Sequence, residues 1–434
     1  MAIWDEEHEC MDRERLEELQ LERLRGMTAW VAGRVPFYGK RLGDAGFAPG
    51  DLTDLGVLRG LPFTEKSHFR EEYPFGLFAV PRDEVVELHS SSGTTGKPVV
   101  AAFTAGDLDL WAELVCRISV AVGVVPGDTA QVTLGYGMSP GGHGLQYGLQ
   151  RAGAEVIPVS AGNTERQIQL MQDLGTTVLV ATPTYALHLG DEVRARGVPV
   201  EDFRLRVGMF GAEACSEQMR EHIEAMLPLT ATDNYGLTEI AGPGVAGECE
   251  CRTGMHVAED HYIVECIDPE TGRPVPDGTP GELVFTTLTR EASPVLRYRT
   301  RDISTVTRAA CPCGRTTARL GKIVGRTDEM FVVNGVNVFP SAVENALFAL
   351  PGVKPFYRIV LRRESGLDRF EVQVEVQAGV FDAPEDERAD YARRAARELH
   401  AALLVTPLVT LAGPGGIERV EVGKTRRVFD ERGA

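Results

Sequence analysis

Residues Ser90 to Val100 read SSSGTTGKPVV, with three serines, two threonines, two glycines and one lysine in eleven positions. β-Branched runs on both sides, VVEL and VVAAF, read as strands. Hydroxyls, glycine-freed backbone N–H groups and an ammonium are what a loop needs to surround phosphate oxygens. The usual triphosphatase loop places four residues between its glycine and its Gly-Lys, then a hydroxyl residue that reaches magnesium. Here only Thr94 and Thr95 separate Gly93 from Gly96, and Pro98 follows Lys97. Magnesium must then be held from elsewhere in the chain.

Two later segments offer what this loop lacks. TDNYGLTE, Thr232 to Glu239, sets Tyr235 beside a glycine at the end of an apolar run, where its ring can stack on a flat base. Thr238 and Glu239 add a hydroxyl for phosphate and a carboxylate for magnesium. RYRTRD ends at Asp302, where an exposed carboxylate can accept both hydroxyls of a ribose. Alone, a Tyr-Gly pair is an ordinary turn and an Arg-rich strand ending in Asp is an ordinary surface ion pair.

The cysteines form a separate constellation. ECECRTGMH places Cys249 and Cys251 before His256, and CPCG places Cys311 and Cys313 in a tight turn. A Cys…His half and a Cys-x-Cys half can close a tetrahedral zinc site, although the second spacing is shorter than the common C-x₂₋₄-C. The favoured ligands are Cys249, His256, Cys311 and Cys313, with Cys251 as the alternative to Cys249. Four protein ligands leave no open position, so the expected role is structural. The remaining four cysteines, Cys10, Cys116, Cys215 and Cys266, read as packing residues.

In this order, these segments resemble the adenylate-forming enzymes, and specifically the phenylacetate–CoA ligase family. The resemblance covers essentially the whole chain, carried by LPFTEK, SSGTTGKP, GYGMSPGGHG, GAEACSE, YGLTEIAGPGVAGEC, EDHYIVECIDPETG, GELVFTTLTREASPVLRYRTRD, GRTDEMFVVNGVNVFP and GKTRRVFD. It implies that a carboxylate attacks the α-phosphorus of ATP, giving an acyl-adenylate, and that CoA thiol then displaces AMP. Ser91, Ser92, Gly93, Thr94, Thr95, Gly96 and Lys97 would hold the β- and γ-phosphates. Ala212 and Glu213 would frame the adenine, with Asn234, Tyr235 and Gly236 in the same nucleotide site and Tyr235 stacked on the base. Thr238 would meet the α-phosphate, Glu239 magnesium and Asp302 the ribose, assisted by Arg326. Asp328 matches a hinge, and Lys424 the lysine that bridges carboxylate and α-phosphate. Lys66 is either a second phosphate contact or a surface lysine. Gly335 sits where the CoA arm passes close to backbone. Tyr136, Gly137, His143, Gly211 and Ala212 would wall the acyl site, and an aromatic wall suits a flat aryl acid. For His143 a structural role is an equal reading.

The elements that must position these groups read as α/β. Strands and helices alternate from about Val85 to Arg206, and TTVLVATPTYALHLGDEVRARG and LRVGMFGAEACSEQMREHIEAML each read as strand, turn and helix, so mostly parallel pairing is expected. GELVFTTL and its surroundings read as antiparallel. An amphipathic helix is expected from Met11 to about Val31, followed by a loop-rich VPFYGKRLGDAGFAPGDL. After GRTDEMFVVNGVNVFP come a helix at PSAVENALFAL, strands at FYRIVLRR and FEVQVEVQ, a helix from about Glu385 to Leu404 and a strand at IERVEV. We therefore expect a large domain over residues 1–327 and a small mobile α+β domain over 328–434.

At 434 residues, with 43% hydrophobic and 25% charged residues, the composition is that of a soluble globular protein. No apolar run is long enough for a membrane span, and the acidic start MAIWDEEHEC is unlike a signal peptide, so a cytoplasmic location is expected. The net charge of −18 opposes binding to nucleic acid or anionic membranes. The resulting expectation is an ATP-dependent aryl-acid–CoA ligase using Mg²⁺, with structural Zn²⁺ and, from the resemblance, a homodimeric state. The alternatives are an enzyme that loads an aryl acid onto a carrier-protein thiol, a catalytically silent ligand sensor, and a zinc-dependent nucleic-acid module. Intact Glu239, Asp328 and Lys424 oppose the sensor, and the charge opposes the last.

Overall fold

A computed structural model describes residues 1–91, 97–364, 367–419 and 425–432. Among these, nine strands form the largest sheet. Five of them, in spatial order Glu155–Ile157, Thr129–Val132, Val178–Ala181, Val207–Phe210 and Thr230–Leu237, pair in parallel. Val178–Ala181 and Val207–Phe210 are buried along their whole length, which is why they read as unbroken apolar runs rather than alternating ones. From Thr230–Leu237 outward the same sheet becomes antiparallel, through Gly242–Gly247, Met255–Val257, Arg319–Leu320 and Val306–Thr307. An antiparallel four-stranded sheet follows, Tyr262–Ile267, Gly281–Thr287, Tyr298–Ser304 and Gly325–Arg326. This is the α/β architecture with an added β-rich part that the sequence implies.

The parallel strands are joined by helices with chemically legible starts. Thr182 caps Pro183–Ala195, which opens on proline, and Ser216 caps Glu217–Met226. Because the strands run the same way, the turns leaving Val132, Ala181, Phe210 and Leu237 all lie along one edge of the sheet. That edge is where open α/β sheets bind ligands.

Near the C-terminus, Val353–Glu364 and Leu367–Val376 form an antiparallel pair, flanked in parallel by Val428–Asp430 and Leu408–Ala412. Helix Glu385–Leu403 buries Tyr391, Ala395, Leu399 and Leu403, one residue per turn, and packs against helix Pro340–Phe348.

Two expectations are corrected. The segment read as loop-rich contains a helix, Pro36–Asp44, started by Pro36 and seated by Tyr38 and Leu42 at i,i+4 spacing; two glycines within it masked the period. The strand expected at IERVEV is absent over Ile417–Arg419, and Val420–Val422 lie outside the described residues. The sheet position beside Leu367–Val376 is taken by Leu408–Ala412.

Candidate active site and metal centre

The turns at the shared edge of the parallel strands carry most of the residues singled out above. After Phe210 come Gly211, Ala212 and Glu213, with Ala212 in the left-handed region at φ 67°, a costly conformation for a residue with a side chain. After Leu237 comes a single helical turn, Thr238–Ile240. Asn234 fastens the two turns by donating from Nδ2 to the Phe210 carbonyl at 2.7 Å. Gly236 is demanded by close backbone approach, since a Cβ there would lie 1.6 Å from the carbonyl oxygen of Gly242.

Glu239 is buried, 4% exposed, and Lys66 Nζ lies 3.5 Å from its Oε1. The hydroxyl of Tyr298 also bonds to it. The lysine left ambiguous by the sequence thus stands beside the carboxylate expected to take magnesium. Its position follows from helix Lys66–Glu71, of which it is the first residue.

Asp302 differs from expectation, because it is buried rather than exposed. One oxygen accepts from Tyr235 Oη at 2.6 Å and the other from Arg326 Nη1 at 2.7 Å. Arg326 also holds Asp328 in a bidentate pair, at 2.9 and 3.0 Å. Burial alone would lower the pKa of Arg326, but the carboxylates of Asp302 and Asp328 outweigh it and raise the pKa. Burial and the Asp302 charge both raise that of Tyr235, which stays protonated and donates. The Tyr235 ring stacks on Phe285 at 5.9 Å. The expected base-stacking, ribose, assisting and hinge residues are therefore one hydrogen-bonded chain.

Of the glycine-rich loop, Ser92 to Gly96 lie outside the described residues. Ser91 anchors its start, exchanging bonds with Val99 through its N–H at 3.0 Å and its hydroxyl at 3.1 Å. Lys97 is exposed, with Nζ 5.2 Å from the centre of the Tyr73 ring. Lys424 also lies outside the described residues, but its neighbour Thr425 donates its backbone N–H to Glu213 Oε1 at 2.7 Å. Gly335 follows Asn334 in the hairpin between Phe331–Val333 and Val336–Val338, both at positive φ, 49° and 86°. That is the Asn-Gly turn whose twist suits two-residue hairpins.

At the acyl side, the rings of Tyr136 and His143 meet edge to face at 5.2 Å, and His143 also neighbours the rings of His89 and Tyr147 at 5.3 and 6.2 Å. His143 Nε2 bonds to the Tyr136 carbonyl at 3.1 Å, which gives the histidine a loop-bracing contact. Gly137 is exposed beside them. The Tyr136 hydroxyl is buried without a hydrogen-bond partner, and burial raises its pKa.

Away from this edge, Cys249, His256, Cys311 and Cys313 converge, all buried, with their ligand atoms within 4.8 Å of one another. Cys249 Sγ lies 3.8 Å from Cys311 Sγ, and Cys313 Sγ 3.4 Å from His256 Nε2. A disulfide needs about 2.05 Å. A tetrahedral zinc with sulfur ligands at about 2.3 Å has sulfur–sulfur edges of about 3.8 Å. The donor set therefore fits the metal. His256 Nδ1 is paired with Thr317 Oγ1 at 3.2 Å, which orients Nε2 toward the thiols. Burial, aided by Arg315 and Arg319, lowers the His256 pKa to about 3, so the imidazole is neutral as a ligand must be. Cys251 is not in this group; its Sγ meets Met1 Sδ at 3.4 Å. Thr317 and Tyr298 carried no sequence signal, because a lone hydroxyl acquires a role only from what folds against it.

Comparison with known proteins shows the family of the chain. Residues 53–288 match the AMP-binding enzyme family, and residues 335–432 match the AMP-binding enzyme C-terminal domain. The chain is 47% identical to the phenylacetate-coenzyme A ligase of Thermus thermophilus, over 99% of this chain and 100% of that one. Among solved structures, 2-hydroxyisobutyryl-CoA ligase in its postadenylation state superposes with a TM-score of 0.93 at 28% identity, over 99% of this chain and 93% of that one. The same enzyme in its thioesterification state gives 0.74 at 29% identity, over 99% and 92% of the two chains. The chain belongs to the AMP-binding enzyme family and, within it, to the phenylacetate–CoA ligases, which are ATP-dependent acid–CoA ligases.

Proposed function

We propose that this protein adenylates an aromatic carboxylic acid and transfers the acyl group to CoA. The observation that carries the reading is the convergence on one sheet edge of Glu239 with Lys66, the Tyr235–Asp302–Arg326 chain, and the ring-lined turn of Tyr136 and His143. In the first step a carboxylate oxygen attacks the α-phosphorus, and the bond to the bridging oxygen breaks, releasing pyrophosphate. In the second, the CoA sulfur attacks the acyl carbon after losing its proton to solvent, and AMP leaves with the bonding electrons. No side chain is alkylated or acylated, so the protein supplies position and charge.

Asp302, held by Tyr235 and Arg326, would fix the ribose, and the turns at Ala212–Glu213 and Asn234–Gly236 the base. Ser91 to Lys97, with Lys66, would receive the phosphates, and Thr238 the α-phosphate. Magnesium at Glu239 would neutralise phosphate charge. Lys424 would stabilise charge on the attacked α-phosphate, and Gly335 would admit the CoA arm. Tyr136, Gly137, His143 and Gly211 would wall an aryl pocket, which aromatic neighbours favour over an extended alkyl chain. Zinc on Cys249, His256, Cys311 and Cys313 would brace the fold, since all four positions are filled by protein.

The test is a pyrophosphate-release panel of phenylacetate, anthranilate, benzoates, acetate and palmitate, run with CoA. Aryl acids should be turned over far faster than the other two. Equal or better turnover of palmitate sinks the aryl assignment, and activity with a carrier-protein thiol but not CoA favours the loading enzyme.

A further inference from the structure

Helix Pro340–Phe348 contacts helix Glu217–Met226, and the C-terminal sheet also forms polar contacts with helix Pro183–Ala195. On that helix Asp191 faces Lys354, whose Nζ lies 3.4 Å from both carboxylate oxygens, and Arg419, whose Nη2 lies at 3.8 Å. Both cations have another partner within the C-terminal unit, the fully buried Glu375 on strand Leu367–Val376. Arg419 grips it through two nitrogens, each at 2.8 Å, and Lys354 lies 3.8 Å from it. Two positive groups thus share one buried carboxylate, which leaves one charge to be met from across the seam. Asp191 meets it.

The same helix begins beside the nucleotide edge. Thr184 Oγ1 accepts from Arg427 Nη2 at 3.4 Å, and Glu213 accepts the N–H of Thr425 at 2.7 Å. Thr425 follows Lys424 directly in the chain. The Arg419–Glu375 pair lies inside one unit and survives rigid-body movement. The contacts of Asp191 cross to the C-terminal unit, and they occur together with the contact of Thr425 to Glu213.

We infer that Asp191 is a positioning residue for adenylation, holding the C-terminal unit where Thr425 meets Glu213 at the nucleotide edge. This rests on the two-step reading above. The contact is partly exposed, 20% at Asp191 and 25% at Lys354, so it is modest in strength and weakened by salt.

The experiment compares full-length wild type, Asp191→Asn and Asp191→Glu. Adenylate formation is followed by single-turnover pyrophosphate release, and thioester formation is started from supplied acyl-adenylate. Asp191→Asn should slow the first step about fivefold, the scale of one such ion pair, and leave the second unchanged or faster. Asp191→Glu should restore most of the rate, and raising salt should slow wild type toward the Asn variant. Hydrogen exchange without substrates gives a readout independent of the acid chosen. The peptide containing Thr425 should exchange faster in Asp191→Asn, while strand Leu367–Val376 stays protected. Unchanged exchange at Thr425, or a first step slowed no more than the second, overturns the inference. Failure of wild type to release pyrophosphate with any acid would instead overturn the functional reading, with the exchange result still deciding whether Asp191 holds the two parts together.

Discussion

Tyr235 joins the apolar core to a buried carboxylate. Its ring lies in the core against Phe285, and its hydroxyl ends on the buried carboxylate of Asp302, which Arg326 also holds. Tyr235→Phe keeps the ring and removes one donor to a charged acceptor, a bond of about 2 kcal/mol. Urea denaturation should show a loss of that size, with weaker ATP binding as Asp302 loses its orientation. Unchanged stability would mean that water replaces the hydroxyl at no cost. The carboxylate and its donors come from three separate strands or turns, so their mutual distances are products of folding.

At the scale of elements, the Asn334–Gly335 hairpin separates backbone cost from ligand access. A Cβ at Gly335 meets nothing within 4 Å, so Gly335→Ala carries only the penalty of its φ of 86°, about 1–2 kcal/mol. If the CoA arm passes there, thioester formation should fall much more than that, with adenylate formation intact. Parallel loss of both half-reactions in single-turnover assays would remove CoA from this turn. The cysteine cluster joins elements in another way, linking the turn before strand Met255–Val257 to the turn before Arg319–Leu320. Cys311→Ser should lower zinc content and melting temperature while folded protein keeps its nucleotide affinity. Elemental analysis of protein prepared without chelators checks the premise, and an absence of zinc ends it.

At the scale of the whole molecule, the proposed mechanism would give the two half-reactions different placements of the C-terminal unit. Lys424→Ala should slow adenylate formation by roughly 10²–10³-fold, the scale for one preorganised charge-stabilising donor. Thioester formation from supplied adenylate should be nearly unchanged. Asp328 is exposed and paired to Arg326, a contact that would have to rearrange if the proposed hinge lies there. Asp328→Pro fixes φ and, if it traps the adenylation pose, should slow only thioester formation. Slowing of both steps equally by Lys424→Ala, or of neither, would remove this lysine from the centre of the mechanism.

What the sequence determined by itself is local. SSSGTTGKP, YGLTE and RYRTRD suggest chemistry only when taken together and in order, whereas TTVLVATPTYALHLG announces a strand and a helix through its apolar runs and its Thr-Pro start. Helix Pro36–Asp44 was hidden because its glycines blur the period, and Leu408–Ala412 was hidden because it is a short strand with one face exposed. Tertiary structure alone decided which of Cys249 and Cys251 joins the cluster, that Lys66 stands beside Glu239, and that Asp302 is buried between Tyr235 and Arg326. It alone decided that Asp191 answers two cations more than a hundred and fifty residues away, Lys354 and Arg419. The physical reason is the range of the forces involved. Propensity and hydrophobic period act over a few residues and are written in order along the chain. Ion pairs and ligand spheres depend on distances of a few ångströms, which exist only once the sheets have brought distant turns to one edge.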